Sequence, residues 1–454
     1  MSLKDVNWGP LLTPSKPLST NENGFISSER QELALQRLSQ FNMARAEAWR
    51  YTSLKRIVQL KLMSDAQQTE PNWQLSFNEE AIKASSASML LNSKLRIISL
   101  SELAKQNRDQ LAEQAFVWIE QQFAQDETMH DLHSLHYRDG LVVIVEAGQD
   151  AGELCINMKR EKSQVSAQSA IANTLQIDSR NIWFYLAEDA ALKVIESFET
   201  EQGLQNHTQL SLTSMYLSKN SKLDYVRSQE QSRGNEQTSL HLGRVAATVY
   251  AEANLSLTSL NLGSDLCRLE LDISLEESQA RADLSGLYLG SSDVLLDQHL
   301  TLKHKAPSCR SSQSFKGALG AKSRGVFTGR VIVSQGAFDT VAEQNNPNLL
   351  LSESAKAVTR PQLEIYNDDV ECSHGATVGQ LDEDALFYLR ARGLDEAAAL
   401  RALTSAFVGE IRETLPKQNL KRALDSSLKQ SLGLELELNE AEEWIDWELI
   451  SANI

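Results

Sequence analysis

The sequence predicts a mainly β protein with helical ends, its core a stack of short strands wound as a parallel β-helix. Between Leu141 and residue 375, short segments alternate aliphatic and polar side chains. Leu255 and Leu257, Leu260 and Leu262, Leu269 through Leu275, Leu287 and Leu289, Val331 and Val333, and Leu349 and Leu351 form the stripes. Strand-sized pieces repeating every ten or so residues fit a sandwich, a barrel or a β-helix. Two features favour the β-helix: tight hairpin dipeptides are nearly absent, and the positions read as inward are overwhelmingly aliphatic. A clean fixed period is not visible, which counts against it.

The elements follow in order. Residues 1–128 read as a mostly helical domain. Ser28 and Gln31 form a capping box, with Leu35, Leu38 and Phe41 at helical spacing behind it. Ser101 is placed to cap a second helix running through Leu111, Phe116, Trp118 and Ile119 to Phe123. The β-helix core is assigned to 129–380, its first strand the β-branched run Leu141–Val145 after the turn pair Asp139-Gly140. Residues 381–454 read as a C-terminal helical domain with an acidic tail extension. Leu386, Tyr388 and Leu389 lie in a short helix stopped by Arg390, Arg392 and Gly393. Asp395 caps the next, with Leu400, Leu403, Phe407, Ile411 and Leu415 on one face. Beyond Pro416 the tail carries Glu435, Glu437, Glu440, Glu442, Glu443, Asp446 and Glu448. Helical ends suit a β-helix, whose end coils otherwise expose strand edges and core.

Composition narrows the partners. The 454 residues include 61 acidic and 44 basic ones, a net charge of −17. That balance argues against nucleic acid and against anionic membranes as partners. No run approaches the roughly eighteen apolar residues of a membrane span. The start, MSLKDVNWGPLLTPSKPLS, lacks a basic stretch followed by an apolar one, so a cytoplasmic location is expected. Cys155, Cys267, Cys309 and Cys372 are scattered, without a CxxC pair, and read as free thiols of a reducing compartment.

The chemistry-bearing candidates are few. Cys372 and His374 lie two apart on an extended segment, so their side chains share a face, and both are metal-ligand types. The competing reading is a buried thiol serving as a small hydrophobe beside a hydrogen-bonded histidine. Two ligands do not complete a tetrahedral site, so any others come from elsewhere in the fold or from another subunit. His130, His133 and His136 fall on one helical face; with Leu132 and Leu135 between them, a solvated helix end or loop is the favoured reading over a metal site. His304 and Cys309 bracket Lys-Ala-Pro-Ser and read as a surface loop between strands. Gly317 to Ser323 imitates a phosphate loop, but Ala321 precedes Lys322 where the motif needs glycine. Asp368 and Asp369 are adjacent, so on a strand they face opposite ways; a turn is expected there.

Several stretches resemble the SufB/SufD family of iron–sulfur cluster assembly proteins. They are HLTLKHKAPSC with SSQSFKG, SRGVFTGRVIV (323–333), NNPNLLLS (345–352) and, most specifically, PQLEIYNDDVECSHGATVGQLDEDALFYLRARG (361–393). EAWRYTSL (47–54) and LKVIESFET (192–200) match more loosely. Leu389 stands where the SufB branch carries a cysteine, and Ser373 and Gly375 stand where it has an acidic residue beside its histidine; both departures favour the SufD branch. The resemblance implies a right-handed parallel β-helix flanked by helical domains. It implies pairing with a SufB-like subunit through the core, and docking of a SufC-like ABC ATPase on the C-terminal helices. A homodimer is the alternative assembly when no SufB-like subunit is present. It places the family's interface histidine and nearby cysteine on His374 and Cys372, as ligands of a nascent iron–sulfur cluster shared with SufB. It also associates flavin with the complex, with no residue here marking a site. The expected role is therefore a non-catalytic scaffold. The rivals are a purely structural partner, in which Cys372 and His374 only pack, and a carbohydrate-active β-helix enzyme, for which clustered carboxylates and a secretory signal are both lacking.

Overall fold

The protein is described from a computed structural model, which covers residues 28–40, 65–68, 74–77, 80–82, 88–91, 94–105, 108–123, 128–137, 139–160, 174–200, 207–231 and 239–431. From Leu141 onward the chain passes between two sheets with almost every strand. The first holds β6 (Leu141–Val145), β8 (Thr174–Leu186), β10 (His207–Leu217), β12 (Ser239–Val249), β14 (Leu266–Leu275), β16 (Leu295–His304), β18 (Arg324–Val333) and β20 (Lys356–Ile365). The second holds β7 (Asp150–Arg160), β9 (Ala191–Thr200), β11 (Lys222–Gln231), β13 (Asn254–Asn261), β15 (Arg281–Ser291), β17 (Arg310–Gly320), β19 (Thr340–Leu350) and β21 (Val370–Gly379). Each strand pairs in parallel with the one two ahead, which is the ladder of a parallel β-solenoid. The expected mainly β fold with helical ends is the one observed.

The corners explain why hairpin signals are absent and why the repeat is hidden. Asp189, Asn220, Glu252, Gln279, Ser308 and Asp339 all have positive φ, and they recur at steps of 27 to 32 residues. Each donates its backbone N–H to a carbonyl of the next corner along: Asp189 to Lys219, Asn220 to Ala251, Glu252 to Ser278, Gln279 to Pro307, Ser308 to Phe338 and Asp339 to Asp369. Asp and Asn enter the left-handed region at low cost; the others are held there by the stack. Coils that vary in length by several residues leave no fixed period in the sequence.

The interior is aliphatic through its middle coils. Leu255, Leu257, Leu269, Leu271, Ile273 and Leu275 all lie in one buried cluster spanning both sheets. Leu260, Leu287 and Leu289, read from sequence as inward, instead face outward. They pack with Val408, Ile411 and Leu415 of the C-terminal helices. Period 2 shows that two faces differ; it does not say which one a helix will cover.

The N-terminal part carries short strands beside its helices. Between helix α1 (Ser28–Gln40) and helices α2 (Leu100–Lys105), α3 (Gln110–Phe123) and α4 (Thr128–His136) lie five short strands: β1 (Asp65–Gln68), β2 (Gln74–Phe77), β3 (Glu80–Ile82), β4 (Ser88–Leu91) and β5 (Leu95–Ser99). β5 pairs antiparallel with β6, and β2 antiparallel with β7, so the first coil is closed by strands of its own. Ser101 does not cap a long helix. Its hydroxyl and N–H both donate to Asp139, at 2.6 and 3.1 Å, while Asp109 caps α3 by accepting from the Ala112 N–H at 2.9 Å. Phe41, EAWRYTSL and the acidic tail residues lie outside the described residues.

At the other end, α5 (Glu383–Ala391) begins on Asp382, which accepts from the N–H groups of Asp384 and Ala385, and Gly393 follows it at φ +100°. Helix α6 (Glu396–Thr414) starts on Asp395 as expected. A further helix, α7 (Gln418–Ser431), lies where only a tail was read. Its Leu420, Leu424 and Leu428 recur every fourth residue and are buried against α6 and the outer face. Arg412 of α6 holds Asp425 of α7 through two bonds of 2.9 Å. Lys417, between these helices, pairs with Glu153 of β7 at 2.6 Å.

Candidate functional site

Cys372 and His374 sit on β21, the last strand of its sheet. Cys372 is in register with Ala342 of β19, and His374 with Gln344. Among the described residues no strand pairs with the outer edge of β20 or of β21. The solenoid is thus open here, and most of β21 is exposed. Around the opening stand Ile365, Tyr366 and Val378, all large apolar side chains in contact with solvent. Unpaired strand edges beside an apolar rim are the features of a surface that accepts another chain.

The shared face expected of Cys372 and His374 is the inward face. Cys372 is half-buried against Val331, Val333, Ala337 and Ala342, with Leu363 and Val370 alongside. Burial pushes its thiol above the ordinary value, and a backbone hydrogen bond from Ala342 offsets part of that. His374 points the same way, but it is exposed because no coil lies beyond it. Among the described residues, no three His, Cys, Asp or Glu side chains stand together as a metal site. The pair is open-faced, with room for donors from outside.

Beneath the pair the interior changes character. Leu284 and Ala282 of β15 are followed in the next coil by Gln313 and Ser311, and then by Gln344 and Ala342. Gln344 donates to Gln313 at 2.5 Å, Asn346 donates to the Tyr288 hydroxyl at 3.0 Å, and Tyr288 donates to Asn348 at 2.5 Å. Sequence reasoning missed this polar lining. Its signal lay within SSQSFKG and NNPNLLLS, where alternate inward positions carry amides instead of aliphatics.

The other candidates resolve differently. His304 and Cys309 are fully buried, which corrects the surface-loop reading: His304 meets Ser311 at 2.9 Å, and Cys309 donates to the Glu277 carbonyl at 3.2 Å. His133 and His136 are also buried, contrary to a solvated helix end, because α4 lies flat against α1 and the first sheet. Desolvation, helped by the neighbouring His136, lowers His133 to about 3. The Gly317–Ser323 stretch is the end of β17 and a solenoid corner, with Ala321 at positive φ. Asp368 and Asp369 form the bend between β20 and β21, as expected. Cys267 is enclosed in the core, its thiol pushed up to about 12 by burial.

A second buried polar group, unforeseen from sequence, lies several coils away. Arg227 donates to Ser211 at 2.9 Å and to His241, and stacks on Phe198 at 4.6 Å. Glu196 accepts from Tyr225 and Thr213; burial raises its carboxyl against the opposing effect of Arg227.

Residues 168–407, more than half of the chain, match the family model described as SUF system FeS cluster assembly, SufBD core domain. The chain belongs to the SufBD family. The match runs through the solenoid and into α6, and so includes Cys372 and His374. A SufBD family protein of Synechocystis, described as an iron–sulfur cluster assembly protein, is 34% identical over 213 residues, 47% of this chain and 46% of the relative. The iron–sulfur cluster assembly protein SufD of Escherichia coli is 31% identical over 247 residues, 54% of this chain and 57% of the relative. Protein ABCI7, chloroplastic, of Arabidopsis thaliana is 29% identical over 250 residues, 54% of this chain and 51% of the relative. The chain spans about half the length of these curated SufBD relatives. Among the described residues no helix is long and apolar enough to cross a membrane.

Proposed function

We propose that this chain is a SufD-type, non-catalytic scaffold subunit for iron–sulfur cluster assembly. The open end of the solenoid pairs with a SufB-like subunit, and Cys372 and His374 supply this side's ligands to a nascent cluster, which is the cargo of the assembly. Helices α5 and α6 dock a SufC-like ABC ATPase; on α5, Phe387 is 73% and Tyr388 50% exposed, apolar surface that favours a partner. Four free thiols fit a reducing compartment such as the cytoplasm.

One observation carries the reading. Two metal-ligand side chains lie on the inward face of the terminal coil beside exposed apolar residues, and among the described residues no third donor stands with them. A partner that extended the two sheets would cover the pair and add its own ligands.

The test is co-purification with the SufB-like and SufC-like proteins of the same organism, then anaerobic reconstitution with iron and sulfide read by visible absorption. A stable complex whose cluster absorbance falls on His374→Ala supports the ligand role. No complex at all refutes the scaffold reading. The purely structural alternative draws on the packing of Cys372 against Val331 and Val333. It requires that a Cys372→Ala, His374→Ala double variant assemble a full complement of cluster.

A further inference from the structure

Resting on the reading of His374 as a ligand, we propose that Gln344 is its positioning residue: the Gln344 side-chain carbonyl accepts from one ring nitrogen and presents the other at the open end.

The arrangement is built for this. Gln344 lies directly beneath His374 in the parallel ladder, and both face inward. Neighbouring strands are about 4.8 Å apart, which brings an in-register carboxamide and imidazole within hydrogen-bonding reach. The amino end of the Gln344 amide is already committed, donating to Gln313 at 2.5 Å. Its oxygen has no hydrogen-bond partner among the described residues, although the residue is only 2% exposed. A buried acceptor left unmade costs about 1–3 kcal/mol, and the strand in register above it brings His374 as the nearest donor-bearing side chain.

The opposite sheet keeps the space clear. Gly329 of β18 faces the Gln344 carboxamide, and a methyl group there would run into it and into Phe327. Gln313, which anchors the amide from below, is itself buried. Closing a bond from His374 to this free oxygen would give the chain Gln313–Gln344–His374 the form of the outer hydrogen bonds that fix ligating histidines. An acceptor on one ring nitrogen selects the tautomer and leaves the lone pair of the other free for a metal.

The tautomer can be read directly. In the full-length chain with ring-15N histidine, at about pH 8.5 (about two units above the ordinary imidazole value) and without iron, the His374 signals are those missing from His374→Asn. The wild-type ring should show one protonated and one bare nitrogen. In Gln344→Met, which keeps the volume and removes the acceptor, the two nitrogen shifts should converge. If the Met variant does not fold, Gln344→Asn, which withdraws the amide by one methylene, serves in its place. Unchanged His374 shifts in the Met or Asn variant would overturn the proposal. Because no cluster is present, this result is independent of the reconstitution experiment, which tests the ligand role itself.

Discussion

His304 should make the open end of the solenoid acid-labile by an amount that can be worked out. The imidazole closes β16, is fully buried, and contacts Ser311 at 2.9 Å. Desolvation lowers it from 6.5 to about 4. Below the unfolded value the denatured chain takes up a proton that the folded chain refuses, so stability present above pH 6.5 is lost as the pH falls toward the folded value. Each pH unit in that window costs about 1.4 kcal/mol, hence about 2 kcal/mol between pH 6.5 and 5. Other groups titrate in the same range, and not all in one direction: burial raises Glu230 to about 7, which stabilises the fold as the pH falls below that value. The comparison should therefore be a difference. His304→Asn can keep a partner for Ser311 and removes the titration. Urea unfolding at pH 7.5 and 5 should show wild type losing about 2 kcal/mol more than the variant over this interval. Parallel losses would refute the argument, and with it the buried, neutral state of His304.

Other perturbations test other parts of the fold. Leu424→Ala empties a fully buried position between α7, α6 and the outer face; it should cost about 2–5 kcal/mol in urea unfolding. Arg268 and Asp297 are both fully buried and joined at 2.6 Å. Arg268→Met takes the guanidinium from Asp297, which keeps His299 at 3.1 Å, and from Glu270; it should cost about 3 kcal/mol or more, whereas adding Asp297→Leu should recover part of the loss, as melting curves of the two variants will show. Alkylation of the native protein followed by mass spectrometry should label half-exposed Cys372 well before the enclosed Cys267, whose thiol is held near 12.

The sequence carried the parts of this fold that depend on local chemistry. The Leu269–Leu275 stripe, the Asp395 cap and the Gly393 stop were legible because alternation, capping and left-handed backbone are properties of a few adjacent residues. So was the common face of Cys372 and His374, which follows from strand period alone. What depends on distant neighbours was not legible. Burial of His133 and His136 is decided by α1 and the first sheet, which local polarity does not reveal. Leu260 and Leu287 look like core residues in either orientation, and only the presence of α6 and α7 makes their outward placement apolar. Gln344 is harder still. An amide at an inward position of a strand looks like any solvent-facing amide until the register puts a histidine above it. Helix α7 was hidden because Pro416 and the acid-rich residues beyond it dominated the reading of the tail.

The relay of corner N–H groups has a consequence for how the molecule comes apart. Each corner is held by the one after it, from Asp189 through Asp339, whereas the bend at Asp369 turns its N–H back to Asn367 within the same bend. A stack of this kind behaves as a one-dimensional chain, in which an interior unit is stabilised from both sides and a terminal unit from one. The coil that carries Cys372 and His374 should therefore open at lower free energy than any coil behind it, and its amides should exchange first with solvent. A subunit that added strands to β20 and β21 would turn that terminal coil into an interior one. Association would then be written into the exchange rates of the last coil as protection that spreads inward from the point of contact.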